Sequence, residues 1–201
     1  LFAPLNCTNS NNIKVIILGQ DPYFTSTKTG IPVARGFSFA VPIGCKNSPS
    51  LENICKNMIK FGHRKDSNIN LAELCMQGCL FINSAFTTIE GTAGEHNDIW
   101  NNFTSCLLKY IIGINNKIVF LSWGQASHKL CKEIINTDIH KVITSSHPSP
   151  YSYKSEFTGT VYNTTKKKLN KNVIYPSFES TDHFGLVNKY LKELKLNKIF
   201  W

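Results

Sequence analysis

Four stretches of this chain end in side chains that can do chemistry. Gly19-Gln20-Asp21-Pro22-Tyr23 sets a carboxylate between an amide and a phenol. Asn83 follows the apolar run 79–82, Gly124 and Gln125 follow 117–123, and His147 stands three residues beyond the run 140–144. A carboxylate can take a proton from water, and an imidazole can give or take one. A carboxamide presents a donor beside an acceptor. Together these groups have the composition of an active site. Each also has a plainer use: Asp21 capping a turn, Asn83 ending a loop, His147 as a satisfied core histidine. Four strand ends carrying such groups make four plain uses at once the weaker reading.

The elements that would position them alternate along the chain. Residues 13–18 form a short β-branched run closed by turn residues, a buried strand. Gly19 lets the backbone leave that strand without a Cβ clash, and Pro22 fixes the next turn. Residues 79–82, 117–123 and 140–144 read as three further strands. Ser48-Pro49 starts a helix as N-cap and N1. Leu51, Ile54, Cys55, Met58 and Ile59 follow at helical spacing. Leu71, Leu74 and Cys75 make a short helix. Asp98 is the expected cap of a helix with the stripe Ile99, Phe103, Cys106, Leu107 and Tyr110. Helices are also predicted over 125–136 and from about Thr181 or Asp182, the last with Phe184, Val187, Leu191 and Leu194 inward.

Gly36 to Val41 alternates and reads as extended, with Phe37, Phe39 and Val41 on one face. Phe39 there is either core or a stacking platform. Residues 1–12 read as irregular. Residues 153–180 read as a long loop or small hairpin with Lys166, Lys167, Lys168 and Lys171. The whole predicts an α/β fold of three α/β/α layers around a central, mainly parallel four-stranded sheet, in one domain spanning 1–201. Parallel strands end on one side, so Gln20, Asp21, Tyr23, Asn83, Gly124, Gln125 and His147 share a rim. That rim is where open α/β sheets bind ligands.

The net charge of +9 favours a polyanionic partner such as nucleic acid. With 20 Lys, 2 Arg, 21 Asn and 21 Ile, part of that excess is also what an AT-rich genome produces. Seven cysteines without a Cys-x-x-Cys pair read as reduced thiols of an intracellular protein. Cys75 with Cys79, and His128 with Cys131, have the spacing of half a metal site each, with no second half in view. No apolar run approaches the ~20 residues of a membrane span. The first residues have no signal-peptide pattern. Asn6, Asn102 and Asn163 head sequons, unsurprising in an Asn-rich chain.

Five ordered motifs resemble the family 1 uracil-DNA glycosylases. They are Gly19 to Phe24 for the water-activating motif, Ser48 to Ile54 for the proline-rich loop and helix, and Leu80 to Thr87 for the uracil-reading strand. Leu121 to Gln125 is similar to the Gly-Ser loop, and His147-Pro148-Ser149-Pro150-Tyr151-Ser152 to the insertion loop. The resemblance implies the fold of that family and excision of flipped-out uracil from DNA, the first step of base excision repair. Asp21 would position water and support the sugar cation, and His147 would donate to uracil O2 as neutral imidazole. Asn83 would read N3–H and O4, Phe39 would stack, Tyr23 would exclude the thymine methyl, and the Gln20 backbone would touch the base.

Pro49, Ser50, Gly124, Gln125, Ser149, Pro150 and Ser152 would grip DNA phosphates, and Tyr151 would enter the base stack. No metal or cofactor is implied. The implied partners are single- and double-stranded uracil-containing DNA and a proteinaceous uracil-glycosylase inhibitor, with the protein a monomer off the membrane. The implied setting is intracellular, in a nucleus or a viral replication site.

The sequence departs from the family at Tyr151 for leucine, Phe24 for histidine and Gln125 for serine, and it is longer over about 155–178. It also starts close to the first motif, so the family's N-terminal helices are expected to be missing. The composition and the long loop point to a large DNA virus or an AT-rich unicellular organism. The alternative is a replication accessory factor that binds DNA on the same scaffold.

Overall fold

Strand β1, Val15–Gly19, is buried along its whole length. Its alternate residues feed two separate cores, which makes it the centre of the molecule. The computed structural model describes residues 1–42, 44–162, 164 and 171–201. In it β1 pairs in parallel with β2, Cys79–Asn83, and with β3, Val119–Trp123. On its outer side β3 pairs in parallel with β4, Lys141–Ser145. The order β2-β1-β3-β4 has helices on both faces, the three-layer α/β/α arrangement expected.

Val15 and Ile17 join Phe81, Val119, Leu121 and Trp123 in one core. Helices α2 (Pro49–Lys60), α3 (Leu71–Met76) and α6 (His183–Glu193) contribute to that side. Ile16 and Leu18 join Leu80, Ile82 and Phe120 in the other. That side is covered by α4 (Asn97–Ile114) and α5 (Gly124–Ile134). A parallel strand buried on both faces reads as a continuous apolar run, which is why β1 to β3 were visible in the sequence.

The helix starts on α2 and α6 match expectation. Ser48 Oγ accepts from Leu51 N at 3.2 Å with Pro49 at the first turn, and Asp182 accepts from Gly185 N at 2.9 Å. Several expectations need correction. Residues 1–12 contain a helix, α1 (Ala3–Cys7), and a 3-10 turn, Ser10–Asn12. Residues 36–39 are bends and turns and no strand forms over 36–41, with Phe39 at a left-handed φ of +67°. His96, not Asp98, is the N-cap residue of α4, and no side chain caps it.

The buried face of α4 is Thr104, Leu108 and Ile111, while Ile99, Phe103, Cys106 and Tyr110 are exposed. Leu107 of the expected stripe does pack against the core, but the buried line runs one residue on and starts at a polar residue, Thr104, whose Oγ1 donates to Ser84 O at 2.7 Å. On α2, Ile59 is exposed and Asn57 is buried instead, its amide donating to the carbonyls of Phe178 and Thr181, each at 3.0 Å.

The segment 153–180 includes the expected hairpin, with β5 (Phe157–Thr160) antiparallel to β6 (Asn172–Tyr175). Lys166, Lys167, Lys168 and Asn163 lie outside the described residues. Cys55, Cys75, Cys79 and Cys131 are buried thiols, whereas Cys45 and Cys106 are exposed and Cys7 is half-buried. No helix is long and apolar enough to cross a membrane, and no metal-binding cluster of His, Cys, Asp and Glu occurs, both among the described residues.

Candidate active site

Gly19 and Asn83 are register partners at the mouths of β1 and β2. A Cβ on Gly19 would stand 2.2 Å from Asn83 Oδ1 and 2.9 Å from Ser38 Cβ. Glycine is therefore required for the Asn83 amide to lie over the end of β1. Beyond the strands, Ser84 N donates to Gly19 O and Ala85 N to Gln20 O, both at 2.9 Å. Ser84 Oγ adds a bond to Gln20 O at 2.6 Å. The two strand ends are thus locked together, and the Asn83 amide is fixed relative to the turn after β1.

In that turn Asp21 is half-buried, and its Oδ2 accepts from Gly94 N at 2.6 Å. Burial pushes its carboxyl above the ordinary range, and the Gly94 N–H works against that rise. One oxygen is held and the other remains to order water, the arrangement of a positioned base. The Tyr23 hydroxyl donates to Phe39 O at 3.1 Å and also meets Ser48 Oγ. This ties the turn to the 36–41 segment and to the start of α2. The Phe39 ring is buried, its centroid 5.9 Å from that of His147 and 5.8 Å from that of Trp123.

His147 Nδ1 accepts from Ser149 N at 3.0 Å. An imidazole that accepts at Nδ1 carries its hydrogen on Nε2 when neutral. Burial holds the ring neutral, with its pKa lowered to about 4. The result is a neutral donor with a defined tautomer. Gly124, at φ +83°, lets α5 begin against this ring, since a Cβ there would stand 2.9 Å from His147 Cβ.

Gln20, Asp21, Tyr23, Phe39, Asn83 and His147 all line one cavity of about 330 Å³, together with Ser50, Ser149 and Phe24. That is an ordinary size for a pocket holding a small molecule or one base. Gly124, Gln125 and Ser152 line a second cavity that shares Gln20 and His147 with the first. Pro49 and Pro150 lie outside both, on a groove along α2. Tyr151 is 97% exposed at the tip of its loop.

Three contributors escaped the sequence. Gly94 reaches Asp21 only through tertiary folding, and nothing in its neighbourhood signals it. Asn53 Nδ2 donates to Pro148 O at 2.8 Å, and Ser146 Oγ donates to Ser152 O at 2.8 Å and accepts from Phe178 N at 2.8 Å. An asparagine set between Leu51 and Ile54 of the apolar stripe of α2 was the available sign for the first of these two.

Residues 7–173 match the Uracil DNA glycosylase superfamily. A probable uracil-DNA glycosylase of Acanthamoeba polyphaga mimivirus is 43% identical over all of this chain and 54% of its own length. A uracil-DNA glycosylase of Ralstonia pickettii is 38% identical over 79% of this chain and 62% of its own. A crystal structure of a tyrosine-to-leucine variant of mimivirus UNG in complex with UGI superposes with a TM-score of 0.92. It is 42% identical and covers all of this chain and 73% of its own. The chain belongs to the uracil-DNA glycosylase superfamily. It spans a little over half the length of its mimivirus relative.

Proposed function

We propose that this domain hydrolyses the N-glycosidic bond of deoxyuridine flipped out of DNA, releasing uracil and leaving an abasic site. The observation that carries this is the single cavity walled by Gln20, Asp21, Tyr23, Phe39, Asn83 and His147. Uracil enters with its ring on Phe39. Asn83 accepts from N3–H and donates to O4. Cytosine reverses both polarities and leaves buried groups unpaired, so it is rejected.

As the bond breaks, negative charge grows on the base and positive charge on the sugar. The Nε2–H of His147 donates to O2, where the anion develops. A donor fixed before reaction needs no reorganisation and contributes about 3–4 kcal/mol in comparable sites. Asp21 stabilises the sugar cation and directs water to it. Phe24 brings no polar group to that water, so Asp21 and its Gly94 anchor carry the positioning. The proposed mechanism draws every group from the chain.

Ser50, Ser149, Ser152 and the start of α5 at Gly124 and Gln125 hold phosphates around the flipped nucleotide, with Pro49 and Pro150 beside them. The exposed Tyr151 fills the gap left in the stack. The complex of mimivirus UNG with UGI supports a proteinaceous inhibitor as a further partner. The free thiols support an intracellular setting. The accessory-factor reading leaves the cavity and the fixed imidazole without a use.

Asp21→Asn tests the assignment. Turnover on a uracil oligonucleotide should fall at least about 100-fold. Affinity for the same oligonucleotide should stay nearly unchanged. Equal losses in both would sink the role given to Asp21.

A further inference from the structure

The second cavity, about 430 Å³, adjoins the first across Gln20 and His147. One wall is the start of α5, with Gly124, Gln125, Ala126 and Ser127. Glu156 and Phe157, where the β5–β6 hairpin begins, form another wall. The phosphate-gripping role given to Gly124 and Gln125 leaves the hairpin side of this cavity without a ligand.

Phe157 is packed there against two other rings. Tyr175 of β6 stacks on it at 5.2 Å between centroids and 27° between planes. His128 of α5 meets the same two rings at 5.8 and 5.1 Å. Gly159 lets the hairpin lie this close, because a Cβ there would stand 2.9 Å from His128 Nε2. Tyr175 OH donates to Thr160 O at 3.0 Å, which closes the hairpin over the ring cluster. An aromatic ring backed by two others and presented on a cavity wall loses little freedom when a flat ligand settles on it.

We propose that Phe157 is a stacking platform for the base of a nucleotide immediately next to the flipped deoxyuridine. This deepens the glycosylase reading and rests on it. The two walls suit the two ends of a nucleotide. The N-terminus of α5, eleven residues long, suits the linking phosphate. The aromatic wall suits the base. Glu156 is exposed at that wall and opposes a phosphate there, while its carboxylate can accept from an exocyclic amine. Stacking tolerates any base, because every base has a π-face. The expected effect is therefore a gain in affinity with weak sequence preference.

The experiment measures kcat/KM on single-stranded oligonucleotides with one uracil and one neighbour replaced by an abasic tetrahydrofuran residue, on either side in turn. In the native protein, removing the base on one side should lower kcat/KM about tenfold. Phe157→Leu keeps apolar bulk but removes the ring face. It should lose about the same factor on the intact oligonucleotide and be indifferent to the missing base. Phe157→Tyr should behave as the native protein does. If the native protein ignores the missing base on both sides, or Phe157→Leu remains as sensitive as the native protein, the platform is refuted and excision of uracil still stands. If the native protein releases no uracil from any of these oligonucleotides, the glycosylase reading fails, and this one with it.

Discussion

In the proposed mechanism Tyr23 joins selectivity to architecture in one side chain. Its ring stands in the cavity wall, while its hydroxyl holds the Phe39 carbonyl and the Ser48 cap. Removing the ring opens space where a C5 methyl would lie, so Tyr23→Ala should release thymine from ordinary DNA. Tyr23→Phe keeps the ring and should still refuse it. The measurement is free thymine after prolonged incubation. Uracil release without detectable thymine in the alanine variant would show that another group is the methyl gate. Asp21, Asn83 and His147 were legible because each stands at or just past the end of an apolar run, where residue type alone suggests chemistry. Gly94 and the hydrogen bond that orients His147 were not, since both depend on backbone N–H groups, which every residue but proline carries.

The junction between β3 and α5 bears directly on His147. Gly124 takes a φ of +83° and sits against His147. A side chain there adds about 1–2 kcal/mol of backbone strain and pushes on the His147 Cβ that carries the imidazole. Gly124→Ala should lower the urea midpoint modestly and reduce uracil excision far more than the lost folded fraction explains. A fall in activity that only tracks the fraction unfolded would mean the contact with His147 is immaterial. Element types for β1 to β4 were legible from apolar runs and turn residues. The face of α4 was not, because Thr104, satisfied by Ser84 O, occupies a position that hydropathy assigns to solvent. The 36–41 segment was misread for a related reason. Alternation implied a strand, but the backbone turns at Phe39 to bring its ring beside His147.

At the scale of the whole molecule, acid should unfold this protein through its histidines. His147 is held at about 4 and His183 at about 3, both by burial, against an ordinary 6.5. His183 also has both nitrogens engaged as neutral imidazole, with Trp123 Nε1 donating to Nδ1 at 3.3 Å and Nε2 facing Phe178 O at 3.2 Å. The unfolded chain binds protons at these groups that the folded chain refuses. Their contribution is therefore complete above pH 6.5 and is lost as pH falls toward 4. Asp21 acts in the opposite sense, because its raised carboxyl favours the folded state as it protonates. It is one half-exposed group against two buried rings. The urea midpoint should drop steadily between pH 6.5 and 4, and a flat profile would contradict the buried neutral state of both histidines.

In the proposed function, the rim of this sheet reads uracil in DNA and cuts its glycosidic bond with groups from the chain. Uracil release from a single-stranded oligonucleotide in EDTA, beside cytosine and thymine controls, tests it most directly. Free uracil alone should be released, with EDTA making no difference. Bound DNA with no uracil released, or release that needs a divalent cation restored, would contradict it.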